Sequence, residues 1–329
     1  MSLPLPRQKV VEPLRERLGP RAWARRLQLE AGATRKPALT LGERLLHFAP
    51  VYPALVAALT ASGLMPRARR EFASLRLERT TVFLPNLPAG FDGYRILQIS
   101  DLHLDVDWGV AARVAGLLHA LEYDIAVFTG DFIDRPTDYC PQVVEAMGLI
   151  LSALNAPVYG ILGNHDRLSL VPPLEDMGIS FLLNEGIALR RGSDTLWLAG
   201  VDDPAVFRCD DAARARARAP AGACTILLAH APNIARRMEA RGVDLTLSGH
   251  THGGQVCLPG GWGRTGGREI SGDQRAGFWF RHGAPGYTCR GAGGSHLPVR
   301  LNCPPQVSLH RLRRGDGAPF IERSLPPPA

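Results

Sequence analysis

The chain has 329 residues, of which 45% are apolar, so it is long enough to bury a core of its own. This composition excludes a chain that is disordered throughout. The net charge of +7 is carried almost entirely by arginine and favours anionic partners such as phosphate esters, nucleic acid or an acidic lipid surface. The six cysteines are spread widely without a CxxC pair, which indicates free thiols in a reducing compartment.

The first part of the chain differs in character from the rest. Residues 1–80 are rich in Arg, Leu, Ala and Pro and predict a helical N-terminal extension. The first twenty residues place charges where a signal peptide needs its apolar run. We therefore expect no signal peptide and a cytoplasmic protein.

One stretch of this extension, LLHFAPVYPALVAALTASGLM at residues 45–65, has about the length that spans a bilayer. It contains a histidine and two prolines, and its more apolar second half is too short to cross. A basic cluster follows, of the kind that holds a peripheral helix on anionic lipid: Arg67, Arg69 and Arg70. Three interpretations stay open, namely a surface-associated or substrate-capturing helix, a buried helix, and a true span. The first predicts peripheral contact with the cytoplasmic membrane through residues 45–70.

After residue 80, apolar runs of strand length alternate with helical segments, and each run ends in a polar cluster. The strand candidates are residues 95–100, 124–129, 157–162, 195–200, 225–229 and 244–248. The helix candidates are residues 110–122, 141–155 and 232–242. This alternation predicts a layered α/β fold over residues 81–315 and leaves residues 316–329 as a proline-rich tail.

The residues that follow the apolar runs carry carboxylate, imidazole and carboxamide groups. In α/β sheets, functional groups gather outside the carboxyl ends of the strands, so these residues predict a site. They lie in the short sequences DLH, GD, GNHD, a single H, and GHTH. The candidates are, in chain order, Asp101, His103, Asp131, Asn164, His165, Asp166, His230, His250 and His252.

Oxygen and imidazole ligands without cysteine suit divalent metals such as Mn, Fe and Zn. His250 and His252 lie one residue apart, with glycine before and after them. On a strand the two side chains would point to opposite faces, whereas at a glycine-flanked turn they can converge on one centre or on two adjacent centres. This spacing suits a pair of metals about 3.5–4 Å apart better than a single ion.

The ordered set D-x-H, G-D, G-N-H-D, H and G-H-x-H resembles the calcineurin-like metallophosphoesterase superfamily over about residues 94–312. The resemblance implies a four-layer α/β sandwich of two mixed sheets flanked by helices. It also implies two divalent metal ions, Mn, Fe or Zn, as cofactors. The implied ligands of the first ion are Asp101, His103, Asp131 and His252. Those of the second are Asp131, which bridges, and Asn164, His230 and His250.

The implied reaction is hydrolysis of a phosphodiester or pyrophosphate bond by hydroxide that the two ions make available near neutral pH. His165 would protonate the leaving oxygen or stabilise the charge that develops on it, which makes it a candidate catalytic residue. Two roles stay open for Asp166. It is either the local partner of His165 or a turn residue that binds backbone amides.

The segment RGAGGSHLPVRLNCPPQVSLHRL, residues 290–312, together with GHTHGGQ, resembles a bacterial branch of the superfamily. That branch includes membrane-associated phosphodiesterases and UDP-2,3-diacylglucosamine pyrophosphohydrolases. The resemblance therefore suggests a lipid-linked substrate and a step of lipid A biosynthesis. Arg290 and Arg300 are candidate contacts for a substrate phosphate, although an arginine beside a strand is as often a surface ion-pair partner.

Two other functions compete with this one. The basic pI suggests a nuclease or a cyclic-nucleotide phosphodiesterase, but the arginines are dispersed and are not interleaved with aromatic residues, which disfavours a nucleic-acid partner. A non-catalytic scaffold with the same fold is the third candidate. It would have to keep a complete set of metal ligands idle, and undetectable bound metal would be its sign.

Overall fold

The computed structural model describes residues 11–32, 51–135, 140–236, 242–261, 263, 269–281, 284–315 and 320–324. The strands in these residues are β1 Arg76–Leu84, β2 Arg95–Ile99, β3 Ile125–Phe128, β4 Val158–Gly160, β5 Ile179–Phe181, β6 Glu185–Arg191, β7 Asp194–Gly200, β8 Thr225–Leu228, β9 Leu245–Ser248, β10 Gly277–Arg281, β11 Ala284–Thr288, β12 Gln306–Arg314 and β13 Phe320–Ser324. The α-helices are α1 Leu14–Leu18, α2 Pro20–Gly32, α3 Val51–Ala61, α4 Met65–Ala73, α5 Gly109–Leu118, α6 Pro141–Ser152, α7 Val171–Glu175 and α8 Ala212–Arg216.

The strands form two mixed sheets. The first has the order β13-β1-β12-β2-β3-β4-β5, in which β2 to β5 are parallel while β12 runs antiparallel to β2. The second has the order β10-β11-β9-β8-β7-β6, with a parallel centre and an antiparallel strand at each edge. Parallel central strands place their carboxyl ends at one edge of each sheet.

The two sheets lie face to face between layers of helices. Successive residues of a strand point to opposite faces, so Ile96 packs into the core between the sheets, whereas Leu97 packs into the core beneath α5 and α6. On the outside of the second sheet, Trp197 and Leu227 pack against Ala212 of α8. The order helix, sheet, sheet, helix confirms the predicted four-layer α/β sandwich.

Each of the six strand candidates overlaps a strand of the structure, and the first two helix candidates correspond to α5 and α6. The third helix candidate, residues 232–242, is wrong in its described part. There the chain forms a 3₁₀ turn, Pro232–Arg236, because a tight turn is enough to bury Ile234 and Ala235. Residues 237–241 of that candidate lie outside the described residues.

The N-terminal helices belong to the same core as the first sheet. Leu14 and Leu18 of α1 and Trp23 of α2 are buried in the cluster that also contains Leu97. Strand β1 runs across residue 80, where the sequence places a boundary, and β13 lies within the predicted tail. Both segments thus contribute strands to the first sheet, and the three-part domain division stays a prediction.

Helix α3 covers most of residues 51–65, the described part of the apolar stretch at 45–65 for which the sequence left three interpretations open. Its Leu59 packs against Val299 and Leu301, while Tyr52 is exposed. In the described portions of the chain, no helix combines the length and the apolar character that crossing a bilayer requires. Residues 45–50 lie outside those portions.

Candidate metal centre

The carboxyl ends of four strands bring the candidate residues together. Asp101 follows shortly after β2 and Asp131 after β3 in the first sheet, whereas His230 and His250 follow β8 and β9 in the second. The amide of His250 donates hydrogen bonds to both carboxylate oxygens of Asp101, at 3.0 and 3.1 Å. The two sheets are therefore tied to each other at the edge where the polar side chains gather.

A first group of donors consists of Asp101, His103, Asp131 and His252, all buried, with donor atoms within 4.8 Å of one another. His103 Nε2 lies 3.1 Å from His252 Nε2 and 3.5 Å from Asp131 Oδ2. His252 Nε2 lies 3.4 Å from Asp101 Oδ1. When two imidazole nitrogens face each other, only one of them can carry a proton between the rings, so the other presents a lone pair. Lone pairs of nitrogen beside two carboxylates suit a bound cation.

A second group consists of Asp131, His230 and His250, again within 4.8 Å. Asp131 Oδ2 lies 3.2 Å from His230 Nε2. The side-chain oxygen of Asn164 lies 3.1 Å from His230 Nε2 and 2.6 Å from His250 Nδ1, so the amide completes the group. Since Asp131 belongs to both groups, a single carboxylate stands between two donor sets.

The structure adds a residue that sequence reasoning missed. Asp134 forms a third group with His103 and His165, and its carboxylate Oδ1 lies 3.4 Å from His103 Nδ1. A carboxylate behind a ligating imidazole fixes the orientation of the ring and raises its basicity. Asp134 comes three residues after Asp131 in the sequence GDFID, which is the signal that could have found it.

The donor set fits a pair of divalent cations, and the backbone adopts strained dihedral angles where it carries the donors. Oxygen and neutral imidazole donors are the ligands that Mn, Fe and Zn accept. Non-glycine residues with positive φ are uncommon, and each costs on the order of 1–3 kcal/mol. Five of the seven predicted ligands have such angles: Asp101 at 50°, His103 at 42°, Asp131 at 58°, His250 at 71° and His252 at 52°.

The glycines of the motifs are required by close approach. A β-carbon at Gly249 would overlap the side chains of Ser100 and Asp101, and one at Gly163 would overlap the carboxylate of Asp131. Both glycines therefore let the loops of the two sheets close around the carboxylates.

Burial sets the charge of the imidazoles. It lowers the pKa of His103 to about 3 and that of His250 to about 4, and it holds the pKa of His252 well below its usual value. Burial opposes ionisation of Asp131 and is the largest single influence, but the charges of His230, His165 and His103 and the hydrogen bond to His230 together outweigh it and lower the pKa of Asp131. Neutral rings and an ionised carboxylate shared by the two groups are the protonation states that metal binding needs.

His230 behaves differently from the other three imidazoles. Burial would lower its pKa, but the charge and hydrogen bond of Asp131, together with the charges of Asp101 and Asp203, outweigh burial and raise the pKa of His230 to about 10. Its Nδ1 lies 2.7 Å from the carbonyl of Thr129, so Nε2 is the nitrogen that faces Asp131. A cation at Asp131 competes with a proton for this Nε2.

The two candidate catalytic residues lie side by side but have different partners. The ring of His165 donates from Nδ1 to the carbonyl of Asp134 at 2.5 Å. The carboxylate of Asp166 accepts hydrogen bonds from backbone amides, among them those of Asp131 (2.7 Å), Phe132 (2.8 Å) and Gly163 (2.8 Å). Of the two roles left open for Asp166, these contacts favour amide binding, which positions the loops that carry the ligands.

The two candidate substrate arginines differ in exposure. Arg300 is fully buried, and its guanidinium donates to main-chain carbonyls, including those of His252 (2.6 Å) and Gly293 (2.6 Å). These bonds hold the loop that carries His252, and a direct contact with substrate would require breaking them. Arg290 is partly exposed and lies 4.0 Å from Glu78, as an ion-pair partner would.

A buried ion-pair cluster lies behind the site. Arg26 of α2, which has no exposed surface, donates to Glu30 (3.0 Å), to Asp202 (3.0 Å) and to the carbonyl of Asp166 (2.7 Å). Glu30 in turn accepts from the amide of Leu168 at 3.0 Å. The N-terminal extension thus supports the GNHD loop from behind, which nothing in the local sequence around Arg26 could show.

Known proteins resemble both the motifs and the chain as a whole. A family model described as calcineurin-like phosphoesterase matches residues 94–254. The chain is 32% identical to uncharacterized metallophosphoesterase YkuE of Bacillus subtilis (strain 168), over 78% of this chain and 92% of that one. It is 27% identical to phosphodiesterase YaeI of Escherichia coli (strain K12), over 67% and 82% of the two chains. It is also 27% identical to UDP-2,3-diacylglucosamine pyrophosphatase LpxG of Chlamydia trachomatis, over 72% and 89%.

A carboxylate shared by two donor sets at the carboxyl edge of two mixed sheets defines a metal-dependent phosphoester hydrolase with a dinuclear centre. The chain belongs to the calcineurin-like metallophosphoesterase family, which confirms the resemblance inferred from the motifs. The roles of the individual ligands stay predictions.

Proposed function

We propose that this phosphoester hydrolase cleaves a phosphodiester or pyrophosphate bond at a site built on Asp131. The observation that carries the proposal is the membership of Asp131 in two donor groups, one completed by Asp101, His103 and His252 and one by His230 and His250. Two divalent ions held by these residues would stabilise both the attacking and the leaving oxygen of an in-line displacement. Similarity to a protein named as a phosphodiesterase and to one named as a pyrophosphatase supports the same reaction class.

The side chains of this chain divide the work. The seven predicted ligands would hold two divalent ions, which when bound neutralise phosphate oxygens and lower the pKa of a water. His165 donates a hydrogen bond from Nδ1 to the carbonyl of Asp134, so Nε2 is the ring atom that delivers a proton to the leaving oxygen. Burial disfavours the charged ring, but Asp131 and the hydrogen bond to Asp134 outweigh it and raise the pKa of His165, which keeps an acid available.

A lipid-linked substrate, as in a UDP-2,3-diacylglucosamine-like precursor, is the finer form of the proposal. Helix α3 supports it, because Tyr52 and the alanines beside it are exposed while three arginines follow within α4. An apolar helix followed by positive charge suits peripheral contact with an anionic membrane. The similarity to LpxG is the second support for this substrate class.

The most direct test compares hydrolysis of bis(p-nitrophenyl) phosphate and p-nitrophenyl phosphate by the Mn²⁺-reconstituted protein. We expect turnover of the diester that falls by more than about 100-fold in Asp131→Asn, since partners behind the ligands already contribute 10- to 100-fold. Asp176→Asn, at an exposed position just after α7, is the matched control and should keep full activity. Metal binding without cleavage of the diester would refute the phosphodiesterase proposal.

A further inference from the structure

A cavity of about 380 Å³ lies beside the third donor group, and Asp134 of that group is one of its lining residues. The described residues that line it are Asp105, Val106, Asp134, Arg135, His296 and Pro298. Its size falls in the range of pockets that hold small organic groups. Its lining combines an imidazole, a guanidinium and two apolar side chains with two carboxylates, which suits a polar ring better than an alkyl chain.

Asp134 connects this cavity to the reacting centre. Its carbonyl accepts from His165 Nδ1, and its carboxylate Oδ2 accepts from His296 Nδ1 at 2.8 Å. The centroids of the two rings are 5.9 Å apart. One residue therefore orients two imidazoles, one assigned to the leaving oxygen and one in the cavity wall.

The backbone is strained in order to present His296. Its φ is 63°, a value that non-glycine residues seldom adopt. Asp134 Oδ1 holds this conformation, because it accepts from the His296 amide (3.0 Å) and from Ser295 Oγ (3.0 Å). Strain that neighbouring contacts maintain is concentrated at functional positions.

The side chain of His296 is 38% exposed, and Tyr52 of α3 stands edge-on to its ring, with centroids 4.6 Å apart. Because Nδ1 donates to Asp134, Nε2 is the ring nitrogen left for a ligand. His296 lines the cavity and Tyr52 packs against its ring, so the two form an aromatic pair that ends in a hydrogen-bonding atom. Aromatic side chains with a polar tip suit contact with planar or sugar rings.

We propose that this cavity binds the leaving group of the phosphoester and that His296 is a specificity-determining residue for it. The proposal rests on the proposed function, since His165 must reach the leaving oxygen and the group attached to that oxygen then extends to the His165 side of the centre. The carboxylate of Asp105 is engaged within the protein, because it accepts hydrogen bonds from the backbone amides of Asp134 (2.6 Å) and Arg135 (2.9 Å). The proposal concerns the phosphodiester form of the reaction, in which the ligand class is a ring-sized alcohol.

The test measures binding without turnover. Benzylphosphonate, whose phosphorus–carbon bond resists hydrolysis, and inorganic phosphate are titrated calorimetrically into the Mn²⁺-loaded protein and its variants. We expect the wild type to bind benzylphosphonate more tightly than phosphate. In His296→Ala that advantage should fall roughly five- to tenfold, as for loss of one hydrogen bond and its ring contact, with phosphate affinity unchanged. His119→Ala, at an exposed position that follows α5, is the matched control.

Each other outcome decides against the subsite. Equal affinity of the wild type for both ligands, or an unchanged advantage in His296→Ala, overturns it. Parallel weakening of phosphate and benzylphosphonate would instead place the effect of His296 at the metal centre. If His296→Ala does not fold, Tyr52→Ala, which removes the ring that packs against His296, decides in the same way. A wild type that binds both ligands but cleaves no phosphoester overturns the proposed function and leaves the binding comparison intact.

Discussion

Replacing His165 by asparagine is expected to lower kcat for diester hydrolysis by about 10²- to 10⁴-fold, the usual contribution of a positioned proton donor. The hydrogen bond to the carbonyl of Asp134 fixes the ring, so asparagine retains a polar group there but loses the proton at Nε2. The bound metal should not change, because His165 is not among the predicted ligands. Metal content and KM are therefore measured on the same preparations.

The leaving group separates proton donation from other roles of His165. p-Nitrophenolate leaves readily without a proton, so the loss with bis(p-nitrophenyl) phosphate should lie near the lower end of the range. Phenolate leaves less readily, and the loss with diphenyl phosphate should be larger. His119→Asn serves as the control. An equal loss with both substrates would show that His165 does not act as the acid.

Replacing Arg26 by methionine should lower the free energy of unfolding by about 3–5 kcal/mol, the usual effect of removing one partner from a buried ion pair. The change leaves the carboxylates of Glu30 and Asp202 without their cation in the interior, and it removes the hydrogen bond to the carbonyl of Asp166. The guanidinium also lies over the ring of Phe207, 3.5 Å from its centroid, so packing is lost as well. Urea unfolding of the metal-free protein measures the change.

Two further variants identify the cause of that loss. Arg21→Met lies on the same helix at an exposed position, and it should change stability by less than about 0.5 kcal/mol. Combining Arg26→Met with Glu30→Gln and Asp202→Asn removes the unpaired charges and should recover part of the loss. A loss below about 1 kcal/mol in Arg26→Met alone would contradict the assigned role of the cluster.

The sequence predicts the central part of the fold well and its periphery poorly, for a physical reason. Strands β2, β3, β8 and β9 are buried on both faces, so they are mainly apolar runs, interrupted by the buried Gln98 and Thr246, with polar residues after their ends. Strand β12, with the sequence QVSLHRLRR, carries charges on exposed positions, and β1 is similarly mixed. Their pairing depends on partners more than 200 residues away, which no local pattern reports.

The candidate site also has one part that the sequence predicts and another part that it does not. The candidate ligands lie in four short motifs and one isolated histidine, and each motif follows an apolar run, so their convergence can be expected from strand order alone. Asp134 and Arg26 act through contacts made only in the folded chain. The complete burial of Arg300 lies outside what the sequence could predict, because arginines are mostly exposed and a sequence gives no sign that one is buried.

The number of metal ions bound per chain tests the central claim most directly. The protein is stripped with a chelator, reconstituted with Mn²⁺ or Zn²⁺, freed of loose ions by gel filtration and analysed for metal by mass spectrometry. We predict two ions per chain, and loss of both in Asp131→Asn, since that carboxylate belongs to both donor groups. A single ion per chain, or two ions that survive Asp131→Asn, would contradict the bridged dinuclear centre.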